Sequence, residues 1–400
     1  MAKIMPPSNQ AFRNDQIVKG QVKKLYPNNK ALIQLNSQSI TARLETPLVV
    51  GGKYHFQVHI SNHTLYLKVI GDKLKNQPKQ DISALLQSLG IKASRINTTF
   101  IQLLMDEGIP FQKKELLHAF HLLQENKKNP QTMDVLKEMI VYRYPISKDI
   151  LESLLINRNL SQTELMNRLL REPIQNNSIN ELQHLLAEVV GSDKVSVIAD
   201  PKNQFIQHVQ KYFQFAGLDF EYRLFNQLNQ RKTIKSLLLE YIVKKDGSTH
   251  ETALKLLQYL NGVQLQSINE TDNFIHFNIQ IPGEKIGLTK DFTMQFKSRK
   301  RKNGEMNSDY CRIYFFLELA HLKETTIEMH IQQRAVSITI YNNTDNLSIL
   351  AKRYQPLLKE GLEKLDYYLT NINYKPIQQE RKTNPFSEKT FSYQGVDYRI

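Results

Sequence analysis

The sequence predicts a multidomain α+β protein: a small N-terminal β-barrel of OB or SH3 type, a helical middle, and a C-terminal antiparallel sheet covered by one long helix. Three observations carry this. Short runs of alternating apolar residues separated by turn residues fill 17–70. Apolar spacing then becomes helical over 80–262, and alternation at period two returns from Val263 before giving way to a helical stripe at Leu347. At 400 residues the chain exceeds one ordinary core. The expected domains are 1–78, 79–262 and 263–378, followed by a polar, mobile tail over 379–400.

The barrel strands are marked by Val18/Gly20/Val22, Ile33/Leu35, Ile40/Ala42/Leu44, Tyr54/Phe56/Val58/Ile60 and Leu65/Leu67/Val69. Pro27-Asn28-Asn29, Asn36-Ser37, Gly51-Gly52 and Ser61-Asn62 separate them with turn chemistry. Five short strands with tight turns suit a small closed barrel.

In the middle, Asp81, Ser94, Ser147, Ser161, Ser178 and Asp200 stand where helix N-caps belong. Gly90, Gly108-Ile109-Pro110, Asn129-Pro130, Pro145, Pro173, Gly191 and Gly217 interrupt the helical spacing, so about ten short helices are expected.

The C-terminal strands follow Ile275/Phe277/Ile279/Ile281, Phe292/Met294/Phe296, Ile313/Phe315/Leu317/Leu319, Ile327/Met329/Ile331 and Val336/Ile338/Ile340. A helix over 347–369 then places Leu347, Leu350, Ala351, Tyr354, Leu357, Leu358, Leu362, Leu365 and Leu369 on one face. Val396/Tyr398/Ile400 have the period of an edge strand.

The net charge is +14, and 1–78 alone contributes +8, with 11 Lys/Arg against 3 Asp/Glu. That asymmetry suggests an acidic partner for the barrel, or a solubility role. Lys19, Lys23, Lys24 and Lys53 interleave with the aromatics Tyr26 and Tyr66, the mixture that single-stranded nucleic acid requires. The run Lys297-Ser298-Arg299-Lys300-Arg301-Lys302, followed by Asn303-Gly304, is expected at a solvated hairpin tip, where Arg299, Lys300, Arg301 and Lys302 would meet phosphate or an acidic protein surface. As a structural feature alone, it would protect a sheet edge.

Several function classes are disfavoured. The chain has no apolar run long enough to span a membrane and no secretion-signal pattern at Met1–Gln16, so a cytoplasmic protein is expected. The single cysteine, Cys311, sits in a strand pattern and should be a buried apolar residue. Glu115/His118 and Glu181/His184 have the i, i+3 spacing of di-iron bundles, but the apolar face Leu182/Leu185/Leu186/Val189/Val190 leaves Glu181 and His184 on the polar side. Phosphate-binding glycine loops, nucleophile elbows and H-E-x-x-H are missing. A non-enzymatic protein with no catalytic, metal or cofactor site is therefore expected.

The segment from Arg312 to Ile377 resembles the C-terminal domain of flagellar hook-length control proteins. The likeness runs through Phe315-Phe316-Leu317-Glu318-Leu319, Ile327/Met329/Ile331, Val336/Ile338/Ile340, the helix over 347–369 and a closing strand around Tyr374-Lys375-Pro376-Ile377. Ala320-His321-Leu322-Lys323 lacks the Pro and Gly often found in the family's first turn. With the barrel, the helical middle and Gly395-Val396-Asp397-Tyr398-Arg399-Ile400, the chain looks like a group of uncharacterised relatives from endospore-forming bacteria. The resemblance implies a protein-binding module over 308–377, a component of a type III export gate as partner, and no cofactor. The second reading is nucleic-acid binding by the basic barrel.

Overall fold

A computed structural model of the protein describes residues 12–35, 38–61, 64–75, 77–173, 177–190, 201–228, 231–244, 248–270, 274–301 and 303–377. The described residues form two compact units, with the boundary between Leu151 and Glu152. The boundary falls inside the helical stretch, so its helices are divided between the two. The expected mobile tail 379–400, with its edge-strand pattern, lies outside the described residues.

The first unit begins with β1 (Gln16–Tyr26), β2 (Lys30–Leu35), β3 (Gln38–Leu44), β4 (Lys53–Ser61) and β5 (Thr64–Ile70). They pair in the order β1-β2-β3-β5-β4 and close back onto β1, with β3 and β5 parallel. This is the OB arrangement, so the topology decides between the two barrel types. The inward set Val18, Val22, Ala31, Ile33, Leu35, Ala42, Leu44, Tyr54, Phe56, Val58 and Leu67 forms one core. Phe56 is fully buried, which contributes about 2–3 kcal/mol from its apolar area alone. Gly20 belongs to the inward set because a Cβ there would collide with Leu35 and Ile33. In the three-residue turn Pro27-Asn28-Asn29, both asparagines have positive φ, 60° and 56°, which their short polar side chains tolerate.

Helices α1 (Pro78–Ser88) and α2 (Arg95–Asp106), the short strand β6 (Phe111–Gln112), and helices α3 (Lys113–Glu125) and α4 (Thr132–Tyr142) follow. β6 pairs with β1, Ile17 opposite Phe111. Phe100 and Phe120 meet edge-on with centroids 6.4 Å apart. Ser94 caps α2 by accepting from Asn97 N at 3.2 Å. Asp81 lies inside α1, where its carboxylate accepts from Lys75 N at 3.0 Å. Helix α5 (Lys148–Asn159) contains the unit boundary.

The second unit contains α6 (Gln162–Arg171), α7 (Asn177–Val190), α8 (Pro201–Ala216), α9 (Phe220–Phe225), α10 (Ile234–Lys244) and α11 (Ser248–Ser267). Ser161 caps α6, whereas Ser178 falls inside α7 and Asp200 lies outside the described residues. The strands are β7 (Ile268–Glu270), β8 (Phe274–Ile281), β9 (Phe292–Lys300), β10 (Met306–Leu319), β11 (Lys323–Gln332) and β12 (Ala335–Tyr341). Helices α12 (Leu347–Lys352) and α13 (Gln355–Glu363) lead to β13 (Tyr368–Lys375). The sheet runs in order from β7 to β13. Leu165, Leu186, Tyr212, Leu238 and Leu260 bury their side chains with Ile279, Ile281 and Phe292 of the sheet. Asp291 fastens sheet to helix: one carboxylate oxygen accepts from Gln162 N at 2.9 Å and Ser161 Oγ at 3.1 Å at the α6 N-terminus.

Two expectations for the C-terminal module need correction. The single helix over 347–369 is two short helices, because Pro356 has no N–H to continue the ladder through Arg353 and Tyr354. The second helix ends before Asp366, whose φ is +65°. Leu369, placed on the helix by periodicity, lies in β13 opposite Val336. The sheet is antiparallel except for β13, which pairs parallel to β12, since α12 and α13 carry the chain back across the sheet. Leu358 and Leu362 pack with Ile327, Met329, Val336, Ile338 and Ile340. Leu350, Leu357 and Leu365 are exposed.

Candidate nucleic-acid interface

The barrel's outward face follows from its register. Partners on neighbouring strands share a face, and four successive pairings align Tyr26, Lys30, Arg43, Tyr66 and His59 in one row across five strands. Tyr26, Lys30, Arg43 and His59 are exposed and Tyr66 is half-buried. At about 4.8 Å per strand, the two tyrosines stand about 14 Å apart along the surface, with both cations between them. The next row holds Lys24, Leu32 and Thr41. Lys24 Nζ lies 5.3 Å from the Tyr26 ring centroid, a cation–π contact that steadies the ring.

Of the six residues expected at such a surface, Tyr26, Tyr66 and Lys24 come together here. Lys23 is exposed at the bulge between Val22 and Lys24. Lys53 is also exposed and pairs with Gln21, away from the tyrosine row. Lys19 pairs with His55 and borders a cavity of about 140 Å³ that is also lined by Asp81 and Asp106, away from the tyrosine row. Burial, with Lys19 beside it, pulls the His55 imidazole down to about 4, against the opposing pull of Asp81. His55 is therefore neutral at pH 7.

Lys30, Arg43 and His59 belong to the row and were missed in the sequence. The signal was present: Lys30/Leu32/Gln34 and Thr41/Arg43 alternate opposite to the inward residues. Without the strand order, nothing showed that these positions share a row with Tyr26 and Tyr66.

Residues 3–68 match the family model of a TP0910 S1-like domain. The chain is also 30% identical over 152 residues to the "Uncharacterized protein YlqG" of Bacillus subtilis (strain 168). That match covers 38% of this chain and 26% of the relative, so it spans about a quarter of the relative's length. No solved structure matches. Neither match is to a hook-length control protein.

The other expected site, the basic run, is split by the β9–β10 hairpin. Arg299 and Lys300 end β9, and Arg301 follows it, its backbone N donating to Glu305 O at 2.8 Å. Arg301 also lies 4.0 Å from Asp309. Lys302 lies outside the described residues. Arg299 is exposed and faces away from Ser298, which is fully buried, so the run does not act as one patch.

The two Glu-x-x-His pairs have structural partners. Glu115 accepts from Gln112 N at 2.8 Å and bonds Arg13 at 3.0 Å. Glu181 holds Lys232 at 2.7 Å, and His118 and His184 are exposed. Cys311 is buried, and burial pushes its thiol up to about 11, which removes nucleophilic character. No helix among the described residues is long and apolar enough to cross a membrane.

Proposed function

We propose that the chain is a non-enzymatic protein that binds single-stranded nucleic acid on the outer face of its N-terminal barrel. The row Tyr26–Lys30–Arg43–Tyr66–His59 carries this reading. Its rings offer stacking surfaces that accept any base, and its cations suit the phosphates between them. The match of 3–68 to an S1-like domain supports the nucleic-acid reading. The test is fluorescence anisotropy of the full chain with labelled single-stranded oligonucleotides across a salt series. Expected is an affinity whose log–log salt slope is about −0.7 per contacted phosphate. Binding that is absent at low salt, or unmoved by salt, ends the proposal.

A second proposal concerns the 308–377 module, whose exposed Leu350, Leu357 and Leu365 suit protein binding. The resemblance to hook-length control proteins makes an export-gate component the partner to try. A pull-down with the full chain that recovers the gate component from wild type and from a Leu357→Asp/Leu365→Asp variant alike removes this face from consideration.

A further inference from the structure

The seven-stranded sheet has a second face. Phe277, Met294, Phe296, Ile313, Ile327, Met329 and Ile338 point into the apolar clusters. The alternate positions are polar, charged or aromatic, with the carboxylates Glu318 and Glu324 at the far end, and their register again builds rows. One row runs His276–Lys297–Arg312–His330 across β8 to β11. Beside it toward the hairpin, Phe274 is paired with Arg299, and Tyr310 with Gln332.

This end of the face combines three cations with two aromatic rings. Lys297 Nζ lies 4.9 Å from the Phe274 ring centroid. Arg299 is exposed, and Phe274, Lys297, Tyr310 and Arg312 are half-buried, so each presents some surface to solvent. Two carboxylates border this end among the described residues: Asp309 lies 3.6 Å from Arg334 and 4.0 Å from Arg301, and Glu328 accepts from Tyr314 Oη at 2.8 Å and Tyr341 Oη at 2.9 Å and lies 3.4 Å from Arg312 Nε. The Glu328 charge is thus spread over three donors. In the adjoining row, Asn278 Oδ1 and Gln295 Oε1 are buried without a hydrogen-bond partner among the described residues. Both oxygens are closed to solvent, so this adjoining row belongs to the interior of the sheet and lies outside the candidate contact set.

We infer that this end of the C-terminal sheet is a second single-strand site, with Lys297, Arg299 and Arg312 on phosphates and Phe274 and Tyr310 against bases. The alternation of cation and ring is what distinguishes a nucleic-acid strand from an acidic peptide as its occupant, since a peptide carboxylate gains nothing from the rings. The inference stands on the sheet alone and does not require the barrel to bind.

The experiment uses the full chain and a photoreactive single-stranded oligonucleotide, with cross-linked peptides mapped by mass spectrometry. Cross-links within 274–299 and at 310–312 are expected. They should persist in a Lys30→Glu/Arg43→Glu barrel variant and disappear in a Lys297→Gln/Arg299→Gln variant. In the barrel-variant background, the second pair of substitutions should reduce the salt slope by about 1.4, two contacts of about 0.7 each. Cross-links confined to 16–68 overturn the sheet site and leave the barrel reading intact. Cross-links confined to the sheet do the reverse. Displacement of the oligonucleotide from the barrel variant by polyglutamate at equal charge concentration would also overturn the inference, because the face would then be a bare anion site.

Discussion

Arg43 on β3 and Tyr66 on β5 are partners across the parallel ladder that closes the barrel, although the whole of β4 separates their strands in the chain. Closure therefore sets a cation beside an aromatic ring that sequence proximity would never associate. In the proposed interface, that neighbourhood decides which surface residues would meet a bound strand.

Tyr66→Ala should weaken single-strand binding by about 1–3 kcal/mol through lost stacking. Lys30→Ala and Arg43→Ala should each lower the salt slope by about 0.7. Lys19→Ala should leave the slope nearly unchanged, because Lys19 pairs with His55 and borders the cavity lined by Asp81 and Asp106, away from the tyrosine row. Anisotropy titrations at several salt concentrations compare the three, and a Lys19 effect equal to that of Arg43 refutes the mapped row.

Leu362→Asp places a carboxylate against Ile327 and Ile338 and should cost about 2–3 kcal/mol. Leu357→Asp should cost less than about 0.5 kcal/mol, since that side chain is 69% exposed. Urea unfolding of both variants tests the division of the leucine stripe. Equal losses would restore a single helix with one buried face.

Gly20→Ala should destabilise the barrel by about 1–3 kcal/mol, because the added methyl collides with Leu35 and Ile33 inside a closed wall. Gly51→Ala meets no neighbour but occupies a φ of +80°, so its cost is backbone strain of about 1 kcal/mol. Thermal melts rank the two, and a harmless Gly20→Ala would mean that the barrel wall is looser than the register requires.

His55 makes stability depend on pH. Its folded-state value near 4 lies below the ordinary imidazole value of 6.5, chiefly through burial. Between pH 6.5 and 4 the unfolded chain takes up a proton that the folded chain refuses, so stability falls as pH falls. The accumulated loss is about 3 kcal/mol, with little change above pH 7. Urea midpoints for wild type and His55→Gln across this range isolate the effect, because His276, also pulled down to about 4 by burial, contributes equally to both. Parallel pH profiles for the two proteins would show that His55 is not held neutral.

Sequence periodicity alone located the five barrel strands and the succession of helices, and it placed Phe56 and Cys311 in buried positions. It could do so because burial imposes a period of two on a strand and 3.6 on a helix, and both are local properties. The leucine stripe after Leu347 shows the limit: one helical period fits 347–369 throughout, yet Pro356 breaks the ladder and Leu369 joins a strand. Hydrophobic spacing records which residues prefer to be buried, not which surface is there to receive them. The barrel's OB closure, the parallel entry of β13 and the rows that join Tyr26 to Tyr66 and His276 to Arg312 depend on which strands become neighbours. That choice is made by contacts between residues distant in the chain, so only the tertiary structure decides it.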